Sequence, residues 1–500
     1  MVTNANRKKQ TVYTSEQVRE LDRIAIEDFG TPGYGLMIRA AQATFDIVQQ
    51  LFPQAGHLCV ICGAGNNAGD GYVLARLALQ AGWQITAITV VSQDKLKGDA
   101  LRAYQDLTAT GVQVNAFAEL PCLLSSSSPY TLVADALLGT GLQREVDGVF
   151  AEAISWINGQ PAPVLALDIP SGLDADTGCP RGCAVKADDT VTYIGRKQGL
   201  LTGQARDYVG KLYFDDLSVG NQVFAQLPTK KWLISEQDIV DALPPRPRCS
   251  HKGTFGHSLL VGGAPGMSGA IKLAGEAALR TGSGLVRLVT HSAHAAWLNQ
   301  SRPELMVTAL DSANELRLLL SGKTALGLGP GLGQENWGQE LFLLAIEAEL
   351  PMVMDADALN FLARLPRRQN NWILTPHPAE AARLLGCDTA TVEQDRVRAV
   401  QHIQQQFGGV CVLKGAGTLI SDGEEVAFCT AGNPGMASGG MGDVLSGIIT
   451  GLLAQGLSLF EAAYIGVQVH AMAADRAAIQ GERGLIASDV IEQLRSVVNP

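Results

Sequence analysis

The chain is short of charge, of aromatic residues and of uninterrupted apolar runs, and each shortage narrows what it can be. Charged residues make up 17% of the 500 residues and aromatic residues 6%. With hydrophobic residues at 46%, the composition is that of a chain able to bury apolar surface throughout, not of a disordered one. Basic residues are outnumbered, 38 Lys and Arg against 49 Asp and Glu, which leaves a net charge of -11. Phosphate backbones select basic surfaces, so nucleic-acid binding is not expected and any anionic ligand must be held locally. The longest suspicious apolar stretch, Val444 to Phe460, lacks charge but is broken by Ser446, Gly447, Gly451, Gln455, Gly456 and Ser458. It reaches only the short limit of a spanning helix, about 17 residues, so buried helices are expected there and no membrane segment.

No secretory signal is recognisable, and nine scattered cysteines, an odd number, fit reduced thiols in the cytoplasm. Cys59 and Cys62 form a CxxC, but no second pair completes a zinc site, and both lie in the apolar run Leu58 to Cys62, which reads as a buried strand. The basic run Arg7, Lys8, Lys9 reads as a solvated tail.

What is abundant is glycine, 55 residues, many of them just after apolar runs where strand-to-helix loops lie. The pattern predicts an α/β fold, and the length predicts two large domains. Thr14 to Gln17 forms a capping box, followed by Val18, Leu21, Ala25 and Phe29 on one helical face, with Gly30 as the stop. Short apolar runs then alternate with helical segments: Leu58 to Ile61, Ile85 to Val91, Leu132 to Leu138, Val164 to Leu167 and Thr190 to Ile194. A second series runs through Ser258 to Val261, Leu285 to Thr290, Ala325 to Leu328, Met352 to Met354, Ile373 to Thr375 and Val410 to Leu413. Both series predict mostly parallel, helix-covered sheets, with domains at 1–226 and 227–500.

In the first half, Gly63-Ala-Gly-Asn-Asn-Ala-Gly-Asp-Gly71 lies between a strand and a helix. It is neither a GxGxxG nor a P-loop; alone, it is as consistent with a tight turn as with a phosphate-binding loop. Asp135 and Asp168 end two further strands, the latter opening Asp168-Ile-Pro-Ser-Gly-Leu-Asp-Ala-Asp176. Three polar loops at neighbouring strand ends converge on one crevice, and the oxygens of Asn67, Asp135 and Ser171 suit a hard cation better than zinc. These strings, with Gly139-Thr-Gly-Leu-Gln-Arg-Glu145, resemble the NAD(P)H-hydrate epimerase domain over most of residues 11–215. The resemblance implies a Rossmann-like three-layer fold. It implies that Asn66, Asn67, Ala68, Gly69 and Asp70, and Gly139, Thr140, Gly141, Leu142, Gln143, Arg144 and Glu145, line the damaged-nucleotide site. Asp168 would contact substrate, and Asn67, Asp135 and Ser171 would bind potassium. Ala68 replaces the usual glycine, which is tolerable where its φ is not positive. The hydroxyl-bearing carbon C6 is bonded to the ring nitrogen, whose lone pair assists ionisation or ring opening, and Asp168 is the candidate catalytic proton carrier.

In the second half, Gly432-Asn-Pro-Gly-Met-Ala-Ser-Gly-Gly-Met-Gly-Asp443 runs into an apolar helix. Clustered glycines allow close backbone approach, and a helix starting near Gly442 aims amides and its positive end at phosphate charge, with Asp443 at the junction. Lys414-Gly-Ala-Gly-Thr418 follows a strand and suits a nucleotide phosphate, or is an ordinary turn before a hairpin tipped by Asp422-Gly423. Thr375-Pro-His-Pro-Ala-Glu380 brings His377 to a strand end. Together with His251–Gly256, Gly262–Ala270, Gly329–Gly333 and Asp355–Asn360, these strings resemble the NAD(P)H-hydrate dehydratase domain over roughly residues 230–498.

That second resemblance implies a ribokinase-like α/β fold in which Ala270, Gly331, His377 and Asp443 contact the hydrated dinucleotide. Lys414, Gly415, Ala416, Gly417, Thr418 and Gly442 would hold the adenine nucleotide. Asp443 would act at the transferred phosphate, with ADP as donor, AMP and phosphate as products, and magnesium neutralising charge. The whole is similar to the bifunctional NAD(P)H-hydrate repair family, with NADHX or NADPHX and ADP as small-molecule partners and a homo-oligomer expected. The alternative is a ribokinase-like vitamin kinase fused to a non-catalytic Rossmann-like binding module, because fold alone does not fix function.

Overall fold

The computed structural model describes residues 10–120 and 129–499, and the basic run at 7–9 lies outside them. The chain divides into two compact units between Thr229 and Lys230, just beyond the expected boundary.

In the first unit seven strands form a wholly parallel sheet. Its spatial order is Val114–Ala116, Gln84–Thr89, His57–Cys62, Leu132–Ala136, Val164–Leu167, Asp189–Tyr193 and Lys211–Asp215. The order reverses between His57–Cys62 and Leu132–Ala136, so the loops leaving these neighbours diverge and open a crevice at their carboxyl ends. Alternate residues of His57–Cys62 are buried on opposite faces. Leu58, Val60 and Cys62 pack with the helices Gly33–Leu51, Asn66–Gln80 and Gly98–Thr108, while Cys59 and Ile61 pack with Gly148–Asn158. Burial on both faces is why this strand reads as an unbroken apolar run, and it disposes of the CxxC as a redox site. Both thiols are fully buried, and burial pushes Cys59 up to about 12 and Cys62 well above the usual thiol range.

The second unit has the strand order Met306–Ala309, Leu285–Thr290, His257–Val261, Ala325–Leu328, Met352–Met354, Trp372–Leu374, Val410–Leu413, Thr418–Ser421, Val426–Cys429 and Lys231–Leu233. Pairing is parallel as far as Val410–Leu413 and antiparallel on both sides of Thr418–Ser421. The order reverses between His257–Val261 and Ala325–Leu328, again marking a crevice. The long uncharged stretch becomes the buried part of two helices, Met441–Ala454 and Leu459–Ala477, separated at 455–458. The first packs tightly on Ser268–Thr281, where a Cβ at Gly447 would stand 2.1 Å from the carbonyl oxygen of Ala274. Among the described residues no helix is long and apolar enough to cross a membrane.

Three expectations need correction. The capping box at Thr14 forms, but the α-helix Ser15–Arg23 widens into a π-turn at Ile24–Asp28. The wider turn rotates Phe29 out of the buried face, and it is 39% exposed. Asp135 lies within its strand, which continues to Ala136. Edge and outlying strands such as Val114–Ala116, Lys211–Asp215 and Met306–Ala309 have no counterpart among the expected runs.

Candidate active sites

The first crevice holds a cavity of about 840 Å³. Asn66, Asn67 and Asp70 line it from the start of the helix Asn66–Gln80, which has Gly65 as its N-cap. Gly139 to Arg144 line it from the loop after Leu132–Ala136, and Asp168 from the end of Val164–Leu167. Three of the expected contacts do not line it: Ala68, Gly69 and Glu145. Ala68 is fully buried inside the helix, without positive φ, and a Cβ at Gly69 would meet the Met37 side chain at 2.4 Å, so both serve packing. The loop is anchored by Arg19, which also lines the cavity and whose guanidinium donates to the Thr140 carbonyl at 3.2 Å.

Asp168 is one of the few non-glycine residues with positive φ, +66°. Such a backbone is disfavoured for a residue with a Cβ and persists only where its surroundings impose it. The buried Lys197 pairs with its carboxylate. Asp22 and Asp70 line the same cavity, as do Tyr193 and Lys197. Burial pushes Asp22 up to about 6, with Lys197 opposing and Asp168 adding to the rise. Asp70 is driven well above the carboxylate range by burial, then by the charges of Asp168 and Asp22.

Asn67, Asp135 and Ser171 gather around one stretch of backbone. Asn67 Nδ2 donates to the Leu138 carbonyl at 3.0 Å and Leu138 N donates to Ser171 Oγ at 2.8 Å. Asp135 is fully buried and accepts from Ser171 N at 2.8 Å, Ser171 Oγ at 2.6 Å and Leu137 N at 3.2 Å. Burial pushes its carboxyl up to about 6 against these donors. Asn67 Oδ1 is buried and has no hydrogen-bond partner.

In the second unit, five loops leave the carboxyl ends of parallel strands on one edge. Ala264 N donates to the Gly331 carbonyl at 2.6 Å, and a Cβ at Gly331 would come within 3.2 Å of the Ala270 Cβ, so these two expected contacts face each other. His377 caps the helix Pro378–Leu385, its Nδ1 accepting from Ala379 N at 3.1 Å and Glu380 N at 3.3 Å. Gly440, with φ +89°, caps Met441–Ala454, whose first-turn amides, including that of Gly442, lack intrahelical partners. Asp443 stands in that turn.

The Lys414 ammonium is not isolated. It lies 2.7 Å from Asp355 Oδ1 and 3.8 Å from Glu380 Oε2, while Ser446 Oγ donates to Asp355 Oδ2 at 2.8 Å. A Cβ at Gly442 would stand 3.3 Å from Lys414 Nζ and 3.4 Å from Asp355 Oδ2, which brings the helix start against this pair. Burial works against the Asp355 carboxylate, but Lys414 and Ser446 more than offset it and hold it below the usual range. Burial would likewise lower Lys414, and Asp355 and Glu380 outweigh it. Asp443 is pushed up to about 7, by burial first and by Asp355 next, with Lys414 opposing. Arg396, also buried, donates to the carbonyls of Leu413 at 3.3 Å and Lys414 at 3.0 Å and so pins the start of the Lys414–Thr418 loop.

Sequence reasoning missed Lys197, Asp22 and Tyr193 in the first site and the roles of Ser446 and Arg396 in the second. Asp355 and Glu380 stood in recognised strings without a role.

A Rossmann-like unit with an acidic crevice, followed by a doubly wound unit with a glycine-rich helix start and an adjacent aspartate, defines a two-site α/β enzyme. Residues 33–199 match the family model described as YjeF-related protein N-terminus, and residues 258–496 the model described as NAD(P)H-hydrate dehydratase. The bifunctional NAD(P)H-hydrate repair enzyme Nnr of Coxiella burnetii is 45% identical, over 98% of this chain and 99% of that protein. The Escherichia coli K12 protein of the same name is 43% identical, over 98% of this chain and 94% of that one. Among solved structures, a hypothetical protein of Streptococcus mutans superposes with a TM-score of 0.50 at 30% identity. It covers 53% of this chain and 98% of its own. A ribokinase-like superfamily protein of Enterococcus faecalis gives 0.51 at 27%, covering 54% and 96%. The chain belongs to the bifunctional NAD(P)H-hydrate repair enzyme family.

Proposed function

We propose that the first unit interconverts the R and S hydrates of NADH and NADPH, and that the second dehydrates the S hydrate using ADP. The observation that carries the reading is Asp443: a carboxyl held near neutrality, beside unpartnered helix amides and the Lys414–Asp355 pair. Hydroxide leaves poorly. Transfer of a phosphoryl group from ADP to the C6 hydroxyl, with the hydroxyl proton passing to Asp443, turns it into phosphate, which leaves as the ring nitrogen lone pair forms the iminium. Loss of the C5 proton then gives the dihydronicotinamide, with AMP as the other product. Gly442 and the loop Lys414, Gly415, Ala416, Gly417, Thr418 hold the nucleotide, and magnesium enters with its phosphates. Among the described residues no group of three His, Cys, Asp or Glu side chains is arranged to hold a metal. Ala270, Gly331 and His377 hold the hydrated dinucleotide.

In the first unit either route, loss of the hydroxyl or ring opening, moves one proton at that hydroxyl, and Asp168 carries it. The potassium ion implied by the family resemblance fits the residues present, because Asn67 supplies a buried oxygen without a partner and its neighbours Asp135 and Ser171 offer only oxygen ligands. It would supply a fixed positive charge beside the Gly139–Arg144 loop. Replacing potassium by tetramethylammonium should slow epimerisation by wild type and leave Asn67→Ala unaffected; equal rates in both salts would remove the ion from the site. Asp168→Asn should cut epimerisation to a small residual rate and spare dehydration of the S hydrate, and Asp443→Ala should cut dehydration and spare epimerisation. Either variant with full activity in its own reaction sinks that assignment.

A further inference from the structure

Lys197 is 1% exposed, and its three N–H groups are all spent: on Asp168 Oδ1, on Thr192 Oγ1 at 2.9 Å and on the Tyr193 carbonyl at 3.1 Å. It cannot donate to a ligand without abandoning one of them. Asp168 Oδ1 also accepts from Tyr193 N at 3.3 Å and from Thr192 Oγ1 at 3.4 Å, whereas Oδ2 accepts no hydrogen bond among the described residues. The backbone is fixed as well, since Asp168 N donates to the Val191 carbonyl at 2.7 Å in the left-handed conformation noted above. Of the cations lining the cavity Lys197 alone is buried, Arg19 and Arg144 being exposed.

We infer that Lys197 is the positioning residue of this site, occupying Asp168 Oδ1 so that Oδ2 alone faces the substrate as the proton-carrying oxygen. The inference rests on reading the first unit as an epimerase. It assigns a role to a lysine whose N–H groups all go to Asp168, Thr192 and Tyr193, so that it acts through Asp168. In the proton step, one proton moves between the substrate hydroxyl and Oδ2 and is later returned, and Lys197 exchanges none. An ammonium buried against a carboxylate also explains why the pair cannot be split cheaply: removing one partner leaves an uncompensated charge inside the protein.

The test uses the full chain and R-hydrate consumption. Lys197→Met should lower kcat on the order of 100-fold with KM little changed, because only the proton step is impaired. The combined Lys197→Met, Asp168→Asn chain should be no slower than Asp168→Asn alone, since the lysine works through that carboxylate. In Lys197→Ala, added ethylammonium should restore part of the rate, and neutral 1-propanol of similar size should not. If the lysine variants do not fold, Thr192→Val, nearly isosteric and retaining Lys197, should lose several-fold in kcat and show the same non-additivity with Asp168→Asn. Full kcat in Lys197→Met, additive losses in the double variants, or equal rescue by propanol would overturn the inference. Wild type that leaves the R hydrate untouched would instead defeat the epimerase reading itself.

Discussion

At the scale of single residues, the chain keeps carboxyls where water cannot stabilise their charge. Asp443 illustrates the cost and its use. A carboxyl held at about 7 exists in both protonation states at neutral pH, and its ionised form is basic enough to take a hydroxyl proton. Its native value is raised above the unfolded one, so between about pH 4 and 7 the folded state binds the extra proton and stability falls as pH rises. Asp443→Asn should therefore stabilise the second unit above pH 7, with an upper bound of ~4 kcal/mol, and the advantage should vanish near pH 4, while dehydration is lost. Melting curves across that range check it; a stability difference independent of pH would contradict the assignment. Of the residues that sequence revealed, Asn67 and Asp443 sit in the first turn of helices preceded by glycine, and Asp168 directly follows a strand. Lys197 and Glu380 were not legible as partners because their meaning is tertiary. Lys197 belongs to none of the recognised strings, and it is buried against a carboxylate 29 positions earlier in the chain.

At the scale of elements, the two crevices follow from strand order. Parallel strands covered on both faces read as continuous apolar runs, which is why His57–Cys62, Leu285–Thr290 and Val410–Leu413 were visible in the sequence to within a residue or so. Val114–Ala116 and Met306–Ala309 were not, being short outer strands that carry polar residues and are only partly buried. The helix Met441–Ala454 bears the second site on its first turn, and its entry depends on Gly440. There φ is +89°, and an added Cβ would stand 2.7 Å from Leu273 Cδ1. Gly440→Ala should cost roughly 1–2 kcal/mol in backbone strain alone and tilt the amide-bearing turn away from the phosphate. Dehydration should fall at least tenfold and epimerisation remain unchanged. A fully active Gly440→Ala dehydratase would show that the turn's geometry does not matter.

At the scale of the whole molecule, one chain carries two sites whose chemistries are complementary. The first unit exchanges epimers without consuming a donor, and the second removes only one of them irreversibly, so joining them drains both. The vitamin-kinase alternative shares the anion-binding helix and the aspartate, but full-length relatedness to bifunctional repair enzymes does not favour it. The direct measurement supplies separated R and S hydrates of NADPH, with ADP and magnesium, to the intact chain and follows reduced nicotinamide and AMP. The account predicts prompt conversion of the S hydrate, conversion of the R hydrate at a rate set by the first unit and cut towards the unaided rate by Asp168→Asn, and one AMP per NADPH regenerated. A lasting phosphorylated product without NADPH, or R hydrate consumed no faster than it isomerises unaided, would contradict it.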